Sequence, residues 1–486
     1  MSGVQIFMFF AVTIAIAIAT WLKCRKDILA QGPTDDPNRD YFLAGGTLNW
    51  MFVAGSITLT NLSTDQLVGM NGNQMLLLAW WELAAVAGLL ILAFVFIPIY
   101  YRNNCTTTTE LLERKFNNKH IRAVIGGLFL LGSLVVYLPV MLYSGSLFIR
   151  SLLGLDWPVM AFAIPLAIVG ALYAIFGGLR AVAVSDTYSG VGLLSLALLL
   201  VFLALGRIDF DLSGIPADRL TLIGDKDSPI PWPTLLTGMI FIQIFYWSTN
   251  QTITQRAMAA PSIREAQKGV LAAAIIRLLI VPAIVVIPGI VAFKLYGDIG
   301  DDAFGRIVGD VMPTWLSGTF AAMMVAAVLT SFNSVLNSAT TLYICDLHEA
   351  YSDKTPNLNV LGTLITASFV VIALMLVPIY DGTESIINLV QELNGLLSMP
   401  ILSAFIVSLC FTGVRAEAAI AAVVFGVALY AVFTFLWEPL HYIHLMLITL
   451  IASISFSLVV NRVCLGGKAI LTMFKDGLSG GETANG

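Results

Sequence analysis

The chain contains 486 residues, of which 58% are hydrophobic and only 11% are charged, and its mean hydropathy is +0.88. A soluble protein carries about 25% charged residues, so this composition excludes soluble enzymes, disordered chains, coiled coils and disulfide scaffolds. The net charge of −5 comes without any basic stripe, and a nucleic-acid partner is not expected. A membrane-spanning helix needs about 20 apolar residues. The composition therefore predicts an all-α polytopic membrane protein.

Apolar runs separated by charged or Pro/Gly-rich breaks predict thirteen membrane-spanning helices. In chain order they cover residues 5–22, 50–72, 79–101, 123–149, 157–175, 187–206, 233–255, 270–293, 313–344, 359–379, 384–411, 416–436 and 443–461. Positive charges follow the first run, which predicts a retained anchor with the N-terminus outside. In that orientation 18 of the 25 Lys and Arg residues face the cytoplasm. This bias predicts a cytoplasmic C-terminus in the plasma membrane, which is the inner membrane in a bacterium.

Two predicted spans carry polar clusters that an intact lipid-facing helix would not tolerate. Residues 55–66 read GSITLTNLSTDQ, and residues 243–255 read QIFYWSTNQTITQ. A helix interrupted at mid-membrane explains this density, because its freed backbone groups can face a cavity or an ion. The offset of five spans is odd, which predicts an inverted repeat around a central site. Two intact helices joined by hydrogen bonds are the alternative.

The ninth predicted span presents hydroxyl groups along one helical face. Thr330, Ser331, Ser334, Ser338 and Thr341 recur at the spacing of that face. Hydroxyl and carbonyl oxygens of low total charge suit a weakly bound alkali cation better than Ca²⁺, which prefers several carboxylates. The pattern therefore favours an alkali-ion site between the second and ninth spans, with small-residue helix packing as the alternative.

Ionisable side chains inside the predicted spans are few, and each costs about 2.5–3.5 kcal/mol at the centre of a helix. Glu82 lies at the start of the third span and is interpreted as a substrate contact, with an interfacial surface position as the alternative. Asp186 begins the sixth span and is interpreted as part of an ion site or as a structural partner of Arg180. The sequence has no HExxH, Walker or GxSxG motif, so neither an ATP-driven pump nor a hydrolytic enzyme is expected.

Several segments resemble the solute:sodium symporter family, in particular its sodium/glucose and sodium/galactose cotransporter branch. They are YFLAG (41–45), TNLSTDQLVGM (60–70), YAIFGGLRAV (173–182), FYWSTNQTITQR (245–256), EAQKG (265–269), LNSAT (336–340) and QELNGL (391–396). These motifs stand in the family's order on the predicted spans, as far as about residue 411. The combination is specific for the family and less specific for the substrate.

The resemblance implies a LeuT-type inverted repeat of five plus five helices, with a leading helix and two trailing ones. The implied segments are 1–45 for the leading helix and a cytoplasmic linker, 46–206 for the first repeat, 207–232 for an extracellular loop, 233–411 for the second repeat, 412–462 for the two trailing helices and 463–486 for a cytoplasmic tail. The family's sodium site implies, as ligands for Na⁺, the carbonyls of Leu59, Leu62 and Ala327 and the hydroxyls of Thr330 and Ser331.

The resemblance also implies a sugar site built from polar and aromatic side chains. Its members are Asn61, Gln66, Trp81, Glu82, Gln243, Tyr246, Trp247, Arg277 and Gln391, and the outer gate is formed by Met70, Tyr246 and Ile387. Sugar hydroxyls donate to carboxylates and accept from amides and Arg, while aromatic faces cover the apolar patches of the ring.

Three positions depart from the family's sugar site. Ala85 stands where the galactose transporter has a serine, Arg277 replaces its lysine and Gln243 its asparagine. Arg277 would accommodate an acidic sugar, whereas the absence of Lys and Arg from residues 123–149 favours a neutral one. A possible second sodium site, implied by some relatives, comprises Asp186, Thr330, Asn333 and Ser334.

These observations predict a sodium-coupled symporter that imports a neutral monosaccharide, such as galactose or glucose, by alternating access. Inositol, a sugar acid and an amino acid are alternative cargoes for the same carrier. An ion channel or sensor is the alternative from a different class, but it would need a continuous polar pore. The expected partners are the sugar, sodium and the lipid bilayer, with no obligatory protein partner.

Overall fold

A computed structural model of the protein describes residues 3–31, 43–352, 358–383 and 385–472. Within these ranges ten helices are long and apolar enough to cross a membrane, and 160–175 forms a shorter apolar helix. Two further segments, at 50–72 and 238–258, are helices with an interruption. Together these elements account for the thirteen crossings that the sequence predicts.

The first half of the chain contains seven of the helical segments. They are α1 (Gly3–Gln31), α2 (Trp50–Asn61), α3 (Thr64–Gly72), α4 (Leu76–Arg102), α5 (Thr108–Phe116), α6 (Lys119–Leu153) and α7 (Met160–Arg207). Helices α4 and α6 each contain one π-helical turn, at Leu92–Phe96 and Ser133–Tyr137. Both turns precede a proline, whose missing amide favours such a local irregularity.

Helix α7 contains two of the predicted crossings. The Tyr173 hydroxyl lies 3.0 Å from the Ala181 carbonyl and 2.6 Å from the Ser185 hydroxyl. In a straight helix with a rise of 1.5 Å per residue, Ser185 would lie about 18 Å along the axis from Tyr173. The helix therefore bends back between these residues, and 160–175 and 181–207 form separate crossings.

The second half contains nine helical segments and two short strands. They are α8 (Gly238–Ile244), α9 (Gln251–Met258), α10 (Ile263–Tyr296), α11 (Ala303–Val311), α12 (Thr314–Tyr351), α13 (Leu358–Leu376), α14 (Ile386–Cys410), β1 (Phe411–Thr412), α15 (Ala416–Phe435), α16 (Tyr442–Val463) and β2 (Ile470–Leu471). Strand β1 pairs antiparallel with β2, so the start of the C-terminal tail is tied to the end of α14. The sequence did not predict this pairing.

Helix α2 occupies the centre of the bundle, where it packs against α7, α9, α10 and α12. Its residues from Ser56 to Asn61 are all buried, although more than half of them are polar. Buried polar groups need partners, and here the partners come from the neighbouring helices. The fold therefore places the polar stretch of α2 at the meeting point of the helices that form the candidate site.

Candidate binding site

The break between α2 and α3 releases a backbone carbonyl into the protein interior. Leu62 and Ser63 leave the helical conformation, with ψ angles of 62° and 175°. In an intact helix the Ser63 amide would donate to the Leu59 carbonyl, but it donates instead to the Asn61 carbonyl at 2.7 Å. The Leu59 oxygen is thereby free to bind another donor or a cation.

Helix α12 brings hydroxyl groups to this released carbonyl. The Ser331 hydroxyl donates to the Leu59 oxygen at 3.3 Å, and the adjacent Thr330 hydroxyl donates to the Ala327 oxygen at 3.2 Å. Four of the five predicted sodium ligands thus lie together, and the fifth, Leu62, lies in the break itself. Carbonyl and hydroxyl oxygens are hard ligands, so the chemistry of the set fits Na⁺.

The second predicted interruption lies five crossings later, as expected. Helix α8 continues into a π-helical turn at Phe245–Thr249, and the chain becomes extended at Asn250 before α9 begins. The Asn250 side chain caps α9 by accepting from the Thr252 amide at 2.9 Å. The carbonyl of Ser248 accepts a hydrogen bond from the Tyr100 hydroxyl at 2.8 Å. Two broken helices therefore face each other, and the alternative of two intact polar helices is wrong.

A cavity of about 40 Å³ lies between the two breaks. Its lining comprises Asn61, Ser63, Asp65, Gln66, Trp81, Tyr137, Met141, Ile242, Gln243, Tyr246, Trp247, Ile387, Val390, Gln391 and Asn394. Seven of the nine residues predicted for the sugar site belong to this lining, and Glu82 and Arg277 do not. The volume suffices for a few water molecules and is smaller than the ~300–1,000 Å³ of typical ligand pockets. A solute of monosaccharide size fits this space only after lining side chains move.

Hydrogen bonds between the lining residues orient their polar groups. The Asn61 amide donates to the Tyr246 hydroxyl at 2.9 Å, and the Gln243 amide donates to the Trp81 carbonyl at 2.9 Å. The Trp247 indole donates to the Gln243 side-chain oxygen at 2.9 Å. These bonds connect α2, α4 and the π-helical turn that continues α8, so the two broken helices share one hydrogen-bonded cavity wall.

Glu82 and Arg277 form an ion pair behind the cavity wall. Both side chains are buried, so the interfacial surface position considered for Glu82 is wrong. Arg277 also donates to the Thr58 carbonyl at 3.1 Å, and its guanidinium lies 4.4 Å from the centre of the Trp247 ring. When the Gln66 amide is oriented to satisfy its neighbours, its nitrogen lies 3.2 Å from a Glu82 carboxylate oxygen. The pair therefore supports two lining residues, and its own contact with cargo stays a prediction.

Helices α3 and α14 meet on the side of the cavity that the sequence predicts to face outward. Met70 and Ile387, both predicted to form a gate, are buried. A Cβ atom added to Gly69 would lie 3.0 Å from the Cβ of Ile387, so the two helices are in direct contact. Beyond this contact lies a separate outer cavity of about 540 Å³.

Comparison with known proteins decides the family. A model of the sodium:solute symporter family matches residues 41–426. The chain belongs to the sodium:solute symporter family. It is 32% identical over 490 residues to the uncharacterized symporter YidK of Escherichia coli, covering 95% of this chain and 84% of that protein. It is 29% identical to the sodium/glucose cotransporter of Vibrio parahaemolyticus, covering 91% and 88%. It is 28% identical to the mouse sodium/myo-inositol cotransporter 2, covering 87% and 68%.

Solved structures identify the fold of this symporter. A sodium-coupled sialic acid symporter in a substrate-bound outward-open state aligns with a TM-score of 0.81 at 18% identity, covering 96% of this chain and 99% of that chain. The nucleobase-cation-symport-1 family transporter Mhp1 aligns with a TM-score of 0.58 at 14% identity, covering 92% and 99%. Both have the LeuT fold, which confirms the predicted fold class. These relatives are transporters, and membership of the family establishes sodium as the coupling ion.

The residues predicted for a second sodium adjoin the first site, because Thr330 belongs to both sets and interacts with the Asp186 carboxylate. The Asp186 carboxylate accepts from the Ser56 hydroxyl at 2.7 Å, and Ser56 also accepts from the buried Arg256 at 3.1 Å. Ser334 lies 3.5 Å from the Thr60 hydroxyl, which also interacts with Asp186. The side chain of Arg180, the alternative partner of Asp186, lies outside the described residues.

Asn333 is less well placed for that second ion. A Cβ atom added to Gly170, on α7, would lie 3.6 Å from the Asn333 side-chain oxygen. Neither polar atom of the Asn333 amide has a hydrogen-bond partner among the described residues. Arg256 already brings a positive charge to the side of the cluster where Ser56 and Asp186 meet. The arrangement therefore gives the second ion less support than the first.

Sequence reasoning missed several lining residues of the cavity. They are Ser63, Asp65, Tyr137, Met141, Ile242, Val390 and Asn394. Asp65 and Ser63 belong to the polar stretch of the second span, so the sequence marked the segment that contains them. It did not show which of its side chains face the cavity. Tyr137 and Asn394 come from different helices, and their contact at 2.6 Å is visible only in the folded protein.

Proposed function

We propose that this symporter imports a neutral monosaccharide together with sodium by alternating access. The observation that carries the proposal is the ring of amide and aromatic side chains around the central cavity, next to the released Leu59 carbonyl. Amides offer both donors and acceptors to sugar hydroxyls, and Trp or Tyr faces cover the apolar side of a sugar ring. The names of two relatives, a sodium/glucose and a sodium/myo-inositol cotransporter, also point to hydroxyl-rich cargo.

Sodium binding is proposed to organise the cargo site. The ion takes the carbonyls of Leu59, Leu62 and Ala327 and the hydroxyls of Thr330 and Ser331. This holds the end of α2 against α12, which fixes the position of Asn61 at the edge of the cavity. Because each ligand then favours the arrangement that the other needs, each raises the affinity of the other.

The outer gate is proposed to close over bound sugar by contact of α3 with α14. Met70, Tyr246 and Ile387 form this gate, and inner opening then releases sugar and sodium into the cytoplasm. The proposed repeats are residues 46–206 and 233–411. The distribution of Lys and Arg supports an external N-terminus and a cytoplasmic C-terminus in a bacterial inner membrane.

One sodium per cycle supplies enough energy for this transport. A charge that crosses 100 mV is worth about 2.3 kcal/mol, and a tenfold sodium gradient adds about 1.4 kcal/mol. The sum permits a neutral solute to accumulate about 500-fold. Two sodium ions would permit a limit more than a hundred times higher, so the accumulation limit distinguishes the two stoichiometries.

Uptake into vesicles of the purified full-length protein tests the proposal. Radiolabelled galactose and glucose are offered with an inward sodium gradient and a negative-inside potential, and potassium replaces sodium in the control. We expect saturable uptake that requires sodium and approaches the limit for one ion. Uptake that proceeds equally in potassium would contradict the proposal.

Gln391→Ala tests the cargo site in the same vesicles. Gln391 lines the cavity, so its loss should abolish sugar uptake while sodium still stabilises the protein against heat. Gln267→Ala is the matched control, because Gln267 donates to the Ala93 carbonyl at 3.0 Å and is absent from the cavity lining. Wild-type uptake by Gln391→Ala would contradict the proposed site. Sodium-dependent uptake of myo-inositol, without uptake of galactose or glucose, would identify myo-inositol as the cargo and leave the proposed sodium-coupled mechanism unchanged.

A further inference from the structure

Among the described residues that line the central cavity, Asp65 is the only Asp, Glu, Lys, Arg or His. It lies on α3, just after the break, and only 8% of its surface is exposed. Its carboxylate accepts from the hydroxyl of Ser63. Among the described residues no basic side chain forms a salt bridge with it. The carboxylate therefore faces the cavity without a neutralising partner.

The position of Asp65 also satisfies the positive end of α3. Asp65 is the second residue of this nine-residue helix, and Ser63 at the N-cap makes no capping hydrogen bond with its side chain. A helix N-terminus carries a partial positive charge that favours a nearby anion. In transporters with broken helices such ends are directed at anionic groups of the substrate. Here the chain supplies the anion itself.

The ion pair behind the cavity does not compensate the Asp65 carboxylate. Glu82 and Arg277 neutralise each other, so Arg277 is not free to balance Asp65. The cavity thus combines one carboxylate with amides, hydroxyls and aromatic rings. A cargo hydroxyl can donate to this carboxylate, whereas a carboxylate on the cargo would meet a like charge in a water-poor space, which disfavours binding.

We propose that Asp65 determines specificity in this symporter: its carboxylate accepts a hydrogen bond from a cargo hydroxyl and rejects anionic solutes such as sugar acids. The inference rests on the proposed function and names the charge class of the cargo. It contradicts the expectation that Arg277 accommodates an acidic sugar, because the structure pairs that arginine with Glu82 instead.

Matched pairs of solutes test the inference on the full-length protein in sodium buffer. The probes are galactose with galacturonate and glucose with glucuronate, and the readouts are thermal stabilisation and competition with radiolabelled sugar. We expect the wild-type protein to bind the neutral member of a pair at least about 100-fold more tightly than the acid. Asp65→Asn should lower the affinity for the neutral sugar about tenfold, as expected for the loss of a hydrogen bond to a charged group. It should also lower the ratio of the affinities for the neutral sugar and its acid at least about tenfold.

Asp227→Asn is the matched control, since it removes the same charge from an exposed position in an outer loop. It should leave both the affinity and the ratio unchanged. An unchanged ratio in Asp65→Asn, or a wild-type preference for the sugar acid, would overturn the inference while leaving sodium symport intact. Failure of the wild-type protein to bind any of the four solutes would overturn both the inference and the proposed function. If Asp65→Asn does not fold, the ratio of the wild-type affinities for each neutral sugar and its acid is the remaining test, and a ratio that favours the acid overturns the inference.

Discussion

Ser331 is the residue at which the proposed ion site can be tested most cleanly. Its hydroxyl lies 3.3 Å from the Leu59 oxygen, and its side chain is fully buried. Ser331→Ala removes one of five proposed oxygen ligands and changes the volume little. We expect the sodium concentration for half-maximal uptake to rise at least about tenfold, since a hydrogen bond or ion contact of this kind is worth about 1.5–3 kcal/mol.

Ser195→Ala provides the comparison for that variant. Ser195 is exposed, and its hydroxyl donates only to the Val191 carbonyl one turn earlier in α7. It should leave the sodium dependence of uptake unchanged. A Ser331→Ala protein with wild-type sodium dependence would count against the ion site.

The ion pair of Glu82 and Arg277 makes a second prediction at the residue scale. Breaking a buried pair by removing one partner costs about 3–5 kcal/mol, because the other charge is left uncompensated. Glu82→Gln and Arg277→Met should therefore each lower the thermal unfolding temperature, and the double variant should lose less than the sum of the two. A double-mutant cycle in thermal unfolding measures this coupling. Strict additivity would show that the two side chains do not act as a pair.

Residue types could be predicted from the sequence at this scale, whereas their partners could not. The polar residues of the second span indicated a site, and seven of the nine side chains assigned to sugar do line the cavity. The pairing of Glu82 with Arg277 joins residues 195 positions apart, and no local pattern reports such a contact. For the same reason Asp65 was not distinguished from its polar neighbours.

At the scale of elements, a short loop between α10 and α11 contacts both helices of the proposed outer gate, α3 and α14. Asp301 in this loop accepts from the Ile386 amide at the start of α14 at 2.9 Å and packs against Gly72 at the end of α3. Burial raises the pKa of the Asp301 carboxyl to about 7, and the neighbouring Asp302 adds to this effect. Tyr143 of α6 is the other titratable group that interacts with it.

The raised pKa predicts a pH-dependent outer closure. The raised pKa means that the protonated Asp301 side chain favours the closed form. This stabilisation is fully present below the ordinary pKa of 3.8 and is lost as the pH rises through about 7. Closure should therefore weaken as the pH rises from below to above about 7. Labelling of Asn388→Cys, in the outer cavity, by a membrane-impermeant thiol reagent measures it.

Labelling must be normalised, because thiol reactivity itself rises with pH. Asp227→Cys on the exposed loop supplies that reference. We expect the normalised rate to increase with a midpoint near pH 7 and to become independent of pH in Asp301→Asn. A pH dependence that survives Asp301→Asn would assign the effect to another group.

The interruptions of the helices could be predicted, because an unbroken helix in lipid does not carry a dense polar stretch. The spans 157–175 and 187–206 were predicted as separate apolar runs, and the contact of Tyr173 with Ser185 agrees with a bend between them. The pairing of β1 with β2 could not be predicted, since two strands of two residues leave no hydrophobic pattern. Local sequence patterns therefore predicted the helices and their interruptions, whereas contacts between residues far apart in the chain could not be predicted.

For the whole molecule, composition and the order of motifs established the class, the fold and the family. The choice of cargo is proposed to depend on a few side chains around one cavity. A sialic acid symporter and the transporter Mhp1 have the same fold, so the fold alone does not identify the cargo. At the proposed site a cavity of about 40 Å³ requires cargo to reshape the lining when it binds. Specificity therefore depends on how these few side chains rearrange around a solute, and binding to the whole protein measures it.

The central claim is that sodium and cargo occupy adjacent sites joined by the break in α2. Equilibrium binding to the detergent-solubilised protein measures this most directly: the Kd of sugar is determined at increasing sodium, and the Kd of sodium at increasing sugar. Linkage requires the same factor in both directions, and we predict a factor of at least about ten, which Ser331→Ala should reach only at about tenfold higher sodium. A sugar Kd that stays constant from zero to saturating sodium would contradict the account.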